Sequence, residues 1–227
     1  MIKQGLPHLF ACALALGAAT TFAAPALAIT LGMSDSFQSG TDGGWSAGPA
    51  SVNPPAVVAS GGPAGAGDGY LLITASGGQG AGSRLTAIAG AQWSGDYGAA
   101  GVDGITLDVQ NFGSTTLQLR LWLAGPAGST ALSSTAVTVP AGSGWTAARF
   151  ALDASALTGS AQNALAVLAD VQQLRLFHSS SAAFPGEAIV AALGVDNISA
   201  VPEVPAAWLM VPGLLAIGAL RKRRSAV

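Results

Sequence analysis

Cysteine occurs once in the 227 residues, at Cys12, and histidine twice. Cys12 lies in a segment that reads as removed on export, so the mature chain offers no disulfide, no nucleophilic thiol and no thiolate metal ligand. Charge is equally scarce: 9% of residues are Asp, Glu, Lys or Arg, against roughly 25% in an ordinary soluble domain. No lysine stands between Gln4 and Arg221, and that stretch sets four arginines against eleven acids, a balance of about -7. This excludes a nucleic-acid partner, because phosphate binding needs clustered Lys and Arg. Catalytic signatures are missing too. There is no GxSxG elbow, HExxH helix or Cys/His cluster, and His178, the one histidine beyond residue 28, reads as a packing or surface residue at a strand end. Glycosidase chemistry needs two carboxyl groups about 5–9.5 Å apart. Most acids here sit in Gly-rich turns such as Thr41-Asp42-Gly43-Gly44 and Gly67-Asp68-Gly69, where local turn chemistry accounts for them. The expectation is a protein that is not an enzyme and requires no cofactor.

The two ends state where the chain goes. Lys3, the apolar stretch Leu9 to Phe22 and the closing Ala26-Leu27-Ala28 have the layout of a secretory signal peptide over 1–28, with Ala26 and Ala28 the small residues a signal peptidase requires. About 14 apolar residues are too few to span a ~30 Å hydrocarbon core, so cleavage after Ala28 is expected and the mature chain starts at Ile29. At the other end Val204 to Leu220 is uncharged, interrupted by Pro205, Pro212 and Gly213, and closed by Arg221, Lys222, Arg223 and Arg224. That is a short transmembrane stop-transfer segment whose basic tail stays cytoplasmic and leaves 29–203 outside the inner membrane. The alternative is a permanent single-pass anchor.

Val201-Pro202-Glu203, the apolar stretch and the arginine cluster together resemble the PEP-CTERM sorting signal of Gram-negative, exopolysaccharide-producing bacteria, over about the last 27 residues (201–227, motif 201–205). The family usually reads Pro-Glu-Pro, whereas this chain reads Pro202-Glu203-Val204-Pro205. The resemblance implies that an exosortase-type transpeptidase cuts near the motif and releases or transfers the protein outward, with the inner membrane a transient partner.

Between the ends, 29–200 reads as one all-β domain. Gly/Ser/Ala-rich loops alternate with short alternating segments, and residues 40–69 hold nine glycines and four prolines in a long loop. The expected strands are Asp35–Phe37, Tyr70–Ala75, Ser83–Ala87, Ile105–Val109, Leu117–Leu123, Ala136–Val139, Trp145–Ala151, Leu174–His178 and Ala188–Ala200. Nine short strands suit a two-sheet sandwich, with helical turns expected at Asp153–Leu157 and Ala161–Asp170. In Leu117-Gln118-Leu119-Arg120-Leu121-Trp122-Leu123 the four leucines share one strand face, which is core. Gln118, Arg120 and Trp122 point the other way, as do Thr106 and Asp108, and Gln173, Arg175 and Phe177. A hairpin through Phe112–Thr116 that keeps both leucine sets inward places Asp108 opposite Arg120 as a cross-strand ion pair. That polar and aromatic face reads either as solvated surface with a structural salt bridge or as a sugar-binding face, with Trp122 the stacking platform, Arg120, Asp108 and Gln118 bonding hydroxyls and Arg175 a further ligand residue. Trp45, Trp93 and Trp145 read as core packing or loop-tip stacking residues.

Asp35-Ser36-Phe37, Gly43-Gly44-Trp45, Trp93-Ser94-Gly95-Asp96-Tyr97, Arg175-Leu176-Phe177-His178 and Val195-Asp196-Asn197-Ile198 resemble bacterial jelly-roll domains similar to carbohydrate-binding modules, over nearly all of 34–200. The resemblance implies a jelly-roll sandwich and a structural calcium joining the first and last strands, with Asp35 and Asp196 the matching carboxylates and Asp42 and Asp68 further donors. Calcium suits an oxygen-only ligand set. The combined expectation is an exported cell-surface or matrix protein whose jelly roll contacts exopolysaccharide. The alternatives are a purely structural or adhesive biofilm-matrix protein and a glycan-active hydrolase.

Overall fold

The period-two leucines of 117–123 form a strand, β6 (Leu117–Ala124), and all four are at most 2% exposed. In the computed structural model, which describes residues 28–202, β6 belongs to a sheet with β4 (Thr86–Ile88), β10 (Gln173–His178), β7 (Thr130–Leu132) and β8 (Val137–Val139). The order is β4-β10-β6-β7, and β8 pairs with the first half of β6 on the edge that β7 continues. We refer to this as sheet B. Sheet A contains β1 (Ser34–Asp35), β2 (Ala56–Val58), β3 (Tyr70–Ser76), β5 (Gly104–Asn111), β9 (Thr146–Ala151) and β11 (Val190–Val201). Its order is β2-β3-β11-β5-β9, with β1 added to β11. Every strand pairing is antiparallel.

The two sheets bury their inner faces against each other. Leu71, Ile73, Ile105, Leu107, Val109, Leu193 and Val195 come from sheet A, and the β6 leucines with Leu174 and Leu176 from sheet B. Each such side chain contributes about 1.5–3 kcal/mol by leaving water, and the alternation that produces it is the sandwich pattern. Helix α1 (Ala161–Leu168) is capped by Ser160, whose side chain accepts the Asn163 amide, and buries Ala164, Val167 and Leu168. The 153–157 segment is a single turn, its Ser155 and Ala156 amides capped by the Asp153 carboxylate, and it goes no further because Leu157 bridges to Ser133 and the Thr158 amide donates to the Leu132 carbonyl. No helix among the described residues is long and apolar enough to cross a membrane. The expected signal peptide up to residue 27, the expected transmembrane segment and the basic tail lie outside the described residues.

The expected β5–β6 hairpin does not form. β5 pairs with β11 and β9 in sheet A, and β6 with β10, β7 and β8 in sheet B. Both leucine sets do face inward, but from opposite sides of the core, an arrangement that satisfies the same alternation. The crossing is made at Asn111, which is fully buried: its side-chain amide donates to the Thr115 and Val139 carbonyls and its Oδ1 accepts the Gly113 amide. Asp108 and Arg120 therefore stand on opposite outer faces of the sandwich and form no ion pair. Asp108 instead accepts Asn197 Nδ2 at 2.9 Å.

Candidate functional site

The outer face of sheet B is set by register. Arg175 in β10 is flanked by Ile88 of β4 and Trp122 of β6, and Trp122 by Leu132 of β7, so these four side chains form one row across the sheet. At its centre the Arg175 guanidinium carbon lies 5.1 Å from the Trp122 ring centroid, a cation–π contact worth about 0.5–2 kcal/mol. Phe184, from the 179–189 loop, stacks on the same indole with centroids 4.7 Å apart and planes inclined by 24°. It also meets Phe177 edge-on at 5.6 Å and lies 5.3 Å from the Arg175 guanidinium. Trp122 and Arg175 remain half-buried and Phe184 is 38% exposed. The result is a partly open aromatic and cationic surface.

The loop carrying Phe184 is fastened at both ends. Ser180 donates its amide (3.0 Å) and hydroxyl (2.6 Å) to the Glu187 carboxylate, and Arg84 donates Nε to the Gly186 carbonyl at 2.9 Å. Gly186 has φ of 78°, and a Cβ there would overlap the His178 carbonyl oxygen, so only glycine fits the crossing. Arg120, expected to reach ligand hydroxyls, is buried beneath this loop with 7% exposure. It donates to the Ser179, Ser133 and Ser134 carbonyls at 3.1, 2.8 and 2.7 Å. It therefore ties the 179–189 loop to the β7–β8 connection, and burial lowers its pKa against the charge of Glu187. Gln118 stays on the face but receives the Thr138 hydroxyl at 3.3 Å. His178 is 5% exposed; its Nδ1 accepts the Gln118 amide at 2.9 Å and its Nε2 lies 3.6 Å from Glu187. Burial holds its pKa below the ordinary value, opposed by Glu187. Of the expected ligand residues, the structure brings Trp122 and Arg175 together, leaves Gln118 at the margin, inverts Arg120 into a fastener and removes Asp108 to sheet A.

The calcium pair is separated. Asp35 shares a face with its partner Ile198, a core residue, whereas Asp196 shares the outer face with its partner Asp108. Strict alternation would put 196 and 198 on one face. A bulge at Asn197, with φ of 51°, reverses this between Asp196 and Ser199. Asp35 Oδ2 accepts the indole N–H of both Trp45 (2.7 Å) and Trp93 (2.8 Å), two rings at most 3% exposed. Asp35 is thus an internal anchor for core tryptophans and does not fit as a partner of Asp196 around one ion. Of the further donors, Asp42 Oδ1 accepts the Gly44 amide, and Asp68 accepts the Gln38 side-chain amide and the Ala64 amide. Asp196 itself is fully buried with neither carboxylate oxygen hydrogen-bonded among the described residues. Burial pushes its pKa up to about 6, opposed by the neighbouring Asn197 backbone amide and reinforced by the charges of Asp68 and Asp108. An orphaned buried carboxylate has the chemistry a hard cation takes, although among the described residues no three His, Cys, Asp or Glu side chains converge for one.

A second aromatic cluster was not foreseen. Tyr70, Phe112 and Trp145 meet on the outer face of sheet A with centroids 5.3–6.4 Å apart, over Gly194, where a Cβ would be 2.8 Å from the Phe112 ring. Trp145 Nε1 donates to the Gly61 carbonyl at 2.9 Å and pins the glycine-rich loop across that face.

No protein-family model matches the sequence, and no curated protein matches it. In fold the chain is similar to an exo-β-agarase structure (TM-score 0.57, 12% identity, covering 78% of this chain and 26% of that one). It is also similar to the family 11 carbohydrate-binding module of a cellulosomal cellulase of Clostridium thermocellum (TM-score 0.50, 10% identity, 77% of this chain and 96% of the module). The chain spans about a quarter of the agarase and nearly the whole of the module. The architecture is thus the two-sheet jelly-roll sandwich also found in carbohydrate-binding modules.

Proposed function

We propose that this is an exported cell-surface or extracellular-matrix protein whose jelly roll binds polysaccharide without cleaving it. The observation that carries the reading is the Trp122–Phe184–Arg175 surface on sheet B. Flat rings offer an apolar platform for the C–H face of a pyranose, and free polar donors beside them orient hydroxyls. The likeness in fold to a carbohydrate-binding module supports the same reading, as a frame and not as a ligand assignment. A non-catalytic role is supported by the composition of that face: its loop carries one carboxylate, Glu187, held by Ser180, where glycoside hydrolysis uses two.

Export rests on the terminal sequences: signal-peptidase cleavage after Ala28, then exosortase-type processing near Val201-Pro202-Glu203. Calcium is proposed at Asp196, with Asp68 and Asp108 as the neighbouring negative charges and Asp35 excluded from the ligand set. A glycan array probed with the full chain tests the main claim. Binding confined to a subset of glycans is the expected result, and absence of binding to every glycan favours an adhesive or structural matrix role.

A further inference from the structure

Charge is unevenly distributed over the sandwich. Of the four arginines between Gln4 and Arg221, Arg120 and Arg175 lie in strands of sheet B and Arg84 stands two residues before its edge strand. The aspartates gather elsewhere. Asp35, Asp108 and Asp196 belong to sheet A, and Asp96, Asp103 and Asp153 border a groove of about 330 Å³ floored by Tyr97, Val102 and Leu152. Arg175 forms no ion pair among the described residues. Its Nε donates to Gln173 Oε1 at 2.6 Å, while its two terminal nitrogens donate to no protein group among them. The indole N–H of Trp122 is likewise without a partner there. The guanidinium is partly desolvated between two rings, and no internal carboxylate offsets that cost.

We infer that the sheet-B surface selects polysaccharides bearing an oxyanion, a carboxylate or a sulfate ester, with the Arg175 fork as the recognising group and the exposed ring of Phe184, backed by Trp122, stacking on the adjoining sugar. This inference rests on the polysaccharide-binding reading and narrows its ligand class. A planar fork with two free NH₂ groups matches an oxyanion in bidentate fashion. Between Gln4 and Arg221 acid outnumbers base, so bulk attraction of a polyanion can come only from the Arg221–Arg224 cluster, which the comparison of wild type with Arg175→Gln holds constant.

The test uses matched pairs: polygalacturonate against its methyl ester for carboxylate, and carrageenan against desulfated carrageenan for sulfate, each titrated with the full chain. At least one anionic member is expected to bind about tenfold or more tightly than its neutral match, the order of one charge-assisted contact, with the preference weakening as salt rises. Arg175→Gln should erase the preference, Arg175→Lys should keep part of it, and Arg149→Gln, which removes the same charge from sheet A, should keep all of it. Melting temperatures of the variants establish that they fold. Equal or tighter binding of the neutral members, or a preference that survives Arg175→Gln, overturns the inference and leaves polysaccharide binding standing. No binding to any of the four, with a glycan array also blank, overturns both.

Discussion

Arg175 and Trp122 are direct neighbours across the β10–β6 ladder, and the guanidinium of one packs over the indole of the other at 5.1 Å. Phe184 completes the stack from a loop remote in register. Phe184→Ala should uncover the indole and cost about 0.5–1.5 kcal/mol of stability, the range for one aromatic pair. Chemical denaturation measures this cost. A loss several-fold larger would mean that the 179–189 loop is an integral part of the core.

Arg120 separates structural from binding roles on the same strand. Arg120→Ala leaves three carbonyls without their donor and is expected to cost about 3–5 kcal/mol. Arg120→Lys should recover little, because one ammonium cannot reproduce the planar fork. Unfolding free energies of the two variants check this; near-wild-type stability of the lysine variant would show that charge alone matters.

Much of this was legible in the alternation of the sequence. The leucines of 117–123 specify β6, its inward face and the outward position of Trp122, since a period of two leaves no other choice. Partner choice was not legible, because β5 and β6 satisfy the same inward requirement from opposed sheets as they would from one hairpin. The three-residue strands Ala56–Val58 and Thr130–Leu132 are too short to show a period. The bulge at Asn197 reversed the expected facing of Asp35 and Asp196, and a single left-handed residue gives no warning in composition beyond being Asn. Phe184 had no signal at all, as a loop aromatic finds its partner only through the fold.

Calcium should raise the melting temperature through mass action if Asp196 anchors an ion. Asp196→Ala should abolish the shift. Asp35→Ala should lower stability equally with calcium and with chelator, since its partners are Trp45 and Trp93. Identical melting curves in chelator and millimolar calcium would remove the ion from the account.

His178 gives a pH dependence of defined sign. Its neutral form accepts the Gln118 amide, and burial holds its folded pKa below the ordinary 6.5. The unfolded chain therefore takes up the proton first, so the stability contributed is complete above about 6.5 and drains away as pH falls through the lowered folded value. The difference between wild-type and His178→Gln stability should shrink from pH 7 to pH 5. A constant or growing difference would contradict the neutral assignment.

Processing is read from mass. Mature protein from producing cells should begin at Ile29 and yield no peptide containing Arg221–Val227. Recovery of the intact basic tail from the exported pool would show that the C-terminal segment is retained as an anchor.

The most direct measurement is affinity electrophoresis of the wild-type chain and Trp122→Ala through gels containing a panel of polysaccharides, paired with the unfolding free energy of each. The account predicts that at least one polysaccharide retards the wild type, and that Trp122→Ala loses that retardation by about tenfold in affinity while losing only about 1–2 kcal/mol of stability, as befits a half-exposed ring. Wild-type mobility unchanged by every polysaccharide, or retardation that survives Trp122→Ala, would contradict it.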